Sequence, residues 1–149
     1  MTKFVLYLIV TFAGLFLGGL FTNPGTASEW YLNLNQAPWI PPGWVFGFAW
    51  TLIGITWSVW AAKMVGKRTI YFEYYYCIWI LNFVWNPIFF VLNDVLFAGF
   101  TIAALLVLVA DATIATHKEC GWRGSIWGIP YVLWLVVANS LNWYVFFAN

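Results

Sequence analysis

The chain has 149 residues, of which 64% are hydrophobic and 7% are charged, and its mean hydropathy is +0.84 at a formal net charge of +1. Soluble domains carry roughly 25% charged residues, so this composition excludes a sizeable soluble domain and predicts an all-α membrane protein. The two cysteines, Cys77 and Cys120, are too few and too far apart for a disulfide framework. We expect both to be free thiols.

Five apolar segments are long enough to cross a bilayer, which takes about 20 mostly apolar residues. They cover residues 4–22, 44–64, 71–92, 95–116 and 124–147. The first segment is longer than the roughly 7–15 residues of a signal-peptide core, so we expect an uncleaved helix. The sequence therefore predicts one transmembrane domain, residues 1–149, built as a five-helix bundle.

All basic residues fall on one side of the membrane in this topology: Lys3, Lys63, Lys67, Arg68, Lys118 and Arg123. In a cytoplasmic membrane the positive-inside rule places this side, with the amino terminus, in the cytoplasm. The loop after the first span and the carboxyl terminus then face outward. Because the basic residues flank membrane spans, the sequence does not indicate nucleic-acid binding.

The loop of residues 23–43 is the longest segment outside the predicted spans. Pro38, Pro41 and Pro42 remove backbone donors and fix φ, so we expect a stiff, largely extended lid. The four aromatic rings of the segment 30–44 then have limited freedom: Trp30, Tyr31, Trp39 and Trp44. A rigid aromatic lid suits a flat apolar ligand.

The third span carries two amides and two aromatic rings at helical spacing: Asn82, Trp85, Asn86 and Phe89. Pro87 cannot donate to the carbonyl of Phe83, which predicts a free acceptor and a kink at this depth. Two interpretations of the amides stay open. They either bond neighbouring helices or line a cavity.

The second and fifth spans each combine a large ring with a small residue on one face. Trp134, Ala138 and Asn142 follow i, i+4, i+8 spacing, and Trp50 lies four residues before Gly54. Tryptophans near membrane interfaces usually anchor helices, but Trp50 and Trp134 lie deeper than interfacial anchors. These two residues are therefore candidates for a pocket.

Gly14 and Gly18 form a small-xxx-small pair in the first span, which predicts either packing within the bundle or a homodimer seam. His117 stands alone among the candidate metal ligands, so no metal site is predicted. Phosphate-binding loops, a nucleophile elbow and paired carboxylates are absent from the sequence, which gives hydrolytic or phosphoryl-transfer chemistry no recognisable machinery.

Several motifs in order along the chain resemble the tryptophan-rich sensory protein and translocator protein family. They read Trp30-Tyr31-x-x-Leu34-x-x-x-Pro38-Trp39-x-Pro41-Pro42, Ala49-Trp50, Leu81-Asn82-x-x-Trp85-x-Pro87-x-Phe89-Phe90, Pro130-Tyr131-x-x-Trp134 and Leu141-Asn142. The resemblance implies a five-helix bundle, often dimeric, with a pocket beneath the first long loop for porphyrins, sterols or synthetic benzodiazepine-site ligands. It assigns these ligand contacts: Trp30, Trp39, Pro42, Trp50, Asn82, Trp85, Asn86, Phe89, Trp134 and Ala138.

The sequence departs from the sterol-binding members of that family, because no basic residue follows Leu141 and Tyr144 before Asn149. This favours a prokaryotic member in a bacterial cytoplasmic membrane, although the family occurs in several membranes and an outer-membrane location stays open. With no histidine or methionine at pocket depth, metal-free protoporphyrin IX or a related tetrapyrrole is favoured over haem. No obligatory cofactor is expected.

Three functions follow from the resemblance. The first is a receptor, transport or sensor protein that binds tetrapyrroles. The second is an enzyme that degrades porphyrin in light and oxygen, with Trp50 and Trp134 as candidate catalytic residues. The third is a membrane scaffold or regulator without a small-molecule ligand.

Overall fold

The computed structural model describes residues 1–149 and is all-helical. The helices are α1 (Thr2–Thr26), α2 (Glu29–Leu32), α3 (Gly43–Met64), α4 (Thr69–Phe90), α5 (Val95–Cys120), α6 (Trp122–Ser125) and α7 (Ile129–Ala148). Both cysteines are free thiols, as predicted.

Four of the five long helices are both long and apolar enough to cross a membrane, namely α1, α3, α5 and α7. Their length and composition indicate an all-helical integral membrane protein. Helix α4 is as long as α3, with 22 residues, but its tyrosines, Glu73 and two asparagines lower its hydropathy. The predicted count of five spans is therefore not confirmed: the fold has five long helices, and four of them meet the length and hydropathy of a membrane span.

Two helix boundaries differ from the sequence prediction for local reasons. The last long helix begins at Ile129 rather than near residue 124, because Gly121 breaks the chain at φ +63° and a separate turn of helix, α6, follows. Pro130 in the first turn of α7 suits a helix start, where its missing N–H is not needed. Helix α5 runs on to Cys120, beyond the predicted residue 116.

The loop after α1 is shorter and less extended than predicted. Helix α1 continues through Pro24 to Thr26, so the connection to α3 covers residues 27–42. It contains α2, a single turn whose start is capped by Ser28, since the Ser28 hydroxyl accepts a hydrogen bond from the Tyr31 backbone N–H at 3.2 Å. The cap at Ser28 therefore stabilises a helical turn where the sequence predicts an extended chain.

In the bundle, α4 packs between α1 and α5, α5 packs on α7, and α1 packs on α3. The glycines of α1 permit the α1–α4 contact: a Cβ on Gly14 would lie 2.4 Å from the Trp79 indole nitrogen, and one on Gly18 would lie 2.7 Å from the Asn86 amide nitrogen. The small-residue pair therefore packs within the bundle.

The two ends of the bundle differ in charge. At one end Arg68 lies 3.8 Å from Glu119, and Lys63 lies over the ring of Trp127. We call this the basic end. At the other, the loop end, the connection 27–42 meets the carboxyl terminus of α7, where Asn35 bonds Asn149.

Candidate ligand site beneath the first long loop

An aromatic cluster lies between α3 and α7 below the loop. The Trp134 ring meets Phe46 edge-on at a centroid distance of 5.2 Å and Trp50 at 6.4 Å. Trp50 also meets Tyr131 edge-on at 6.1 Å. The structure therefore brings together the two tryptophans that the sequence selected, and places one further ring beside each of them.

Trp134 is 8% exposed, and no protein atom accepts a hydrogen bond from its indole N–H. A buried donor without an acceptor costs about 1–3 kcal/mol, and such groups are rare in folded proteins. The cluster thus holds an unused donor next to rings that are packed edge to face. An acceptor on a bound molecule would satisfy it.

A second aromatic group lies where α4 ends beneath α2. Phe89 stacks on Trp85 at 5.1 Å and meets Trp30 of the loop edge-on at 5.4 Å. The Trp85 indole N–H donates to the Asn142 side-chain oxygen at 3.2 Å, and the Asn142 amide donates to the Val95 carbonyl at 3.0 Å. Trp85 is therefore held by a chain of hydrogen bonds that joins α4, α7 and the start of α5.

Asn86 faces α1 instead of either aromatic group. Its side-chain oxygen accepts from the Thr22 hydroxyl at 2.7 Å, and its amide nitrogen donates to the carbonyls of Asn82 and Phe83 at 2.9 and 3.3 Å. The carbonyl that Pro87 leaves without a backbone donor thus receives one from the preceding side chain, and α4 continues to Phe90. For Asn86 the interpretation of a helix-bonding amide describes the contacts observed.

Asn82 occupies a different place from Asn86. It lines a cavity of about 20 Å³ at the centre of the bundle, together with Thr11, Trp57 and Tyr131. A volume of this size accommodates about one water molecule. Through Tyr131 this cavity adjoins the Trp50 side of the aromatic cluster.

The loop is fastened to the carboxyl end of α7. The Asn35 N–H donates to the Asn149 side-chain oxygen at 2.9 Å, the Asn35 amide donates to the Ala148 carbonyl at 3.0 Å, and the Asn149 amide donates to the Asn35 carbonyl at 3.3 Å. Further along the loop, Trp39 donates from its indole nitrogen to the Ser140 hydroxyl at 3.2 Å and packs on Tyr144. We call these contacts the loop latch.

The remaining loop residues divide by burial. Pro42 is exposed at the start of α3, where its carbonyl accepts from Val45. Tyr31 packs on Phe89 and Phe90, and burial raises the pKa of its hydroxyl above the ordinary value of 10.0. The loop is therefore pinned at its first helical turn as well as at its latch.

The ten predicted contact residues do not form one open cavity. Trp50 and Trp134 form one group, and Trp30, Trp85 and Phe89 form another. The others lie around these groups: Asn82 at the small cavity, Ala138 half-buried against the main core, Trp39 and Pro42 on the loop, and Asn86 on the α1 side. Within each group the ring centroids lie 5.1–6.4 Å apart, which is the packing distance of aromatic pairs, so a macrocycle could enter between these rings only if they moved.

Phe46, Tyr131 and Asn142 belong to these groups but were not among the predicted contacts. Phe46 precedes Trp50 by four residues and Tyr131 precedes Trp134 by three, so helical spacing places each on the face of its tryptophan. Asn142 shares the face of Trp134. The spacing was available in the sequence, but the partner of each residue on another helix was not.

The aromatic cluster continues towards the basic end as a row of rings. Tyr131 meets Trp57 edge-on at 5.5 Å, Trp57 stacks on Trp60 at 4.2 Å, and Trp60 meets Tyr71 at 5.9 Å. The Tyr71 hydroxyl donates to Glu119 at 2.7 Å. An uninterrupted series of oxidisable side chains thus connects the candidate site with the basic end.

The family model of the TspO/MBR family matches residues 6–148 of the chain. The chain is 31% identical to Protein CrtK of Rhodobacter capsulatus, over 100% of this chain and 94% of that protein. It is 32% identical to a tryptophan-rich sensory protein of Cereibacter sphaeroides, over 76% and 73% of the two chains, and 28% identical to the translocator protein of Bos taurus, over 87% and 80%.

Proposed function

Because this chain belongs to the TspO/MBR family of membrane sensory and translocator proteins, we propose that it binds a flat tetrapyrrole of the protoporphyrin IX type beneath its first long loop. The protein then acts as a receptor, sensor or transporter for that ligand. Binding takes place between α3 and α7, where Trp50 and Trp134 meet.

The observation that carries this proposal is the buried, unpartnered N–H of Trp134 within a cluster of four aromatic rings. Aromatic faces suit a planar apolar ligand, and a single buried donor gives it orientation. The loop 27–42 carries no lysine or arginine. The propionates of a porphyrin would therefore remain at the solvent edge or accept hydrogen bonds from amides and indoles.

We also propose that the tetrapyrrole is metal-free and that α4 is the fifth membrane span. The chain's histidine, His117, lies on α5 at the basic end, away from the cluster, so the site offers no histidine for axial ligation of iron. Helix α4 crosses the bilayer with the others, because Trp79, Trp85 and Asn86 all bond partners on neighbouring helices. The basic end faces the cytoplasm by the positive-inside rule.

Porphyrin titration in darkness tests the site. With porphyrin absorbance and emission as the reporter, Trp134→Phe should weaken saturable binding by about 5- to 10-fold, the value of one lost hydrogen bond, and Trp50→Phe should weaken it through lost packing. Trp122→Phe, on a 60% exposed tryptophan at the basic end, is the matched control. Absent saturable binding, or equal affinity in a Trp50→Phe/Trp134→Phe double variant, would refute the assignment.

A second function, light- and oxygen-dependent degradation of the porphyrin, is favoured by the row of rings from Tyr131 to Tyr71. Indoles beside an excited porphyrin can be oxidised and can pass the electron deficiency along such a row. Under illumination, the appearance of a new product that depends on Trp50 and Trp134 would support an enzyme. Equal product yield in Trp50→Phe, Trp134→Phe and the unmodified protein would exclude a catalytic role for both tryptophans.

A further inference from the structure

A groove opens at the basic end between the first turn of α4 and the last turns of α5. It encloses about 500 Å³ and is lined by Arg68, Ile70, Tyr71, Ala115, Lys118 and Glu119. None of these residues belongs to the ligand site beneath the loop, which lies at the opposite end of the bundle. The groove combines cationic, hydroxyl and apolar groups in one space.

The polar wall of the groove has one more cationic side chain than anionic ones, with Arg68 and Lys118 beside Glu119. Glu119 accepts a hydrogen bond from the Tyr71 hydroxyl at 2.7 Å and lies 3.8 Å from Arg68. The Arg68 side chain is 68% exposed, and an exposed pair at that separation adds little stability, so Arg68 can turn towards a ligand at small cost. Lys118 lies on the same rim and makes no ion pair.

The groove also has an apolar wall. Ile70 and Ala115 line it, and Ile114, which lies one helical turn before Lys118 on α5, is 52% exposed. In the proposed topology exposed apolar side chains of α5 face lipid chains. Cationic groups of the groove would therefore lie next to an apolar surface.

We propose that this groove binds the headgroup of an anionic phospholipid, with Arg68 and Lys118 on the phosphate and an acyl chain along Ile70 and Ile114. Basic pockets between membrane helices recognise lipid phosphates in this way. A soluble phosphate would use only the cationic wall. The apolar wall is what favours a lipid.

Native mass spectrometry in a neutral detergent tests the proposal with two probes, dioleoyl phosphatidylglycerol and dioleoyl phosphatidylcholine. The unmodified chain should retain one phosphatidylglycerol in preference to phosphatidylcholine. Lys118→Gln should weaken that binding about fivefold, whereas Arg123→Gln, which removes the same charge from an exposed position outside the groove, should leave it unchanged. Lys118→Gln leaves the contacts among Arg68, Tyr71 and Glu119 in place.

Three results would overturn the proposal. Equal weakening by Arg123→Gln would mean that the lipid responds to overall charge, and equal retention of the two lipids would mean that no phosphate-specific site exists. Displacement of the lipid by millimolar inorganic phosphate would identify a site for soluble anions instead. Arg68→Gln provides a second variant, with thermal unfolding by circular dichroism to show that it is folded.

Discussion

The loop latch should control how often the loop leaves the bundle, and Asn149→Ala tests this directly. The substitution removes two hydrogen bonds between the loop and α7 and leaves the third, from the Asn35 amide to the Ala148 carbonyl. At an exposed site we assign each bond about 0.5–1 kcal/mol, so the free energy of loop opening should fall by about 1–2 kcal/mol. That corresponds to an open population about 5- to 30-fold larger.

Hydrogen exchange of the protein in detergent or nanodiscs measures this population. The reporter is the Trp39 indole N–H, which donates to the Ser140 hydroxyl of α7, an acceptor that Asn149→Ala leaves in place. Its exchange should accelerate about 5- to 30-fold in Asn149→Ala and stay unchanged in Asn33→Ala, which truncates another exposed asparagine of the same loop. Unchanged exchange of the Trp39 indole N–H in Asn149→Ala would refute the latch. If the loop covers the porphyrin site, association and dissociation of porphyrin should both accelerate in the same variant.

Three further predictions concern packing, buried polar groups and pH. Gly18→Ala should destabilise the bundle by about 1–3 kcal/mol because its Cβ meets an amide at 2.7 Å, whereas Gly19→Ala, with open space, should not; equal thermal stability of the two would contradict the α1–α4 packing. Asn142→Leu should cost about 1–3 kcal/mol, and a double-mutant cycle with Trp85→Phe should show coupling; strict additivity would refute their hydrogen bond. Burial raises the pKa of Tyr31, so the neutral hydroxyl stabilises the closed loop below pH 10. This stability should fall as the pH rises through the pKa of Tyr31 in the folded protein. In Tyr31→Phe the part of the pH dependence of hydrogen exchange that comes from Tyr31 should be abolished.

The helical character and the long elements could be predicted because hydropathy acts locally: each apolar run needs only its own length to become a helix in lipid. Boundaries were predicted less well where a single side chain decides them. Ser28 caps a turn inside the loop, and Gly121 takes a positive φ that separates α5 from α6. Pro87 shows the same limit, because the donor that replaces its missing N–H comes from the Asn86 side chain.

The candidate site was predictable in composition and less so in arrangement. Helical spacing selected Trp50 and Trp134, and the structure places their rings in contact. Asn82 and Asn86 lie four residues apart on one face of α4, yet Asn82 lines a cavity and Asn86 accepts a hydrogen bond from Thr22. Which neighbour each amide meets depends on how α1 and α4 are rotated against each other, and a single sequence does not contain that angle.

The low hydropathy of α4 has a consequence for biogenesis in the proposed topology. A segment with this many hydroxyl, amide and indole groups enters lipid poorly by itself, since each of them seeks a partner that hydrocarbon does not offer. Helix α1 supplies such partners: the Val10 carbonyl accepts from Trp79, and Thr22 bonds Asn86. Insertion of α4 during synthesis should therefore require that α1 is already in the membrane. The order in which the ribosome releases the helices then contributes to the assembly of the bundle.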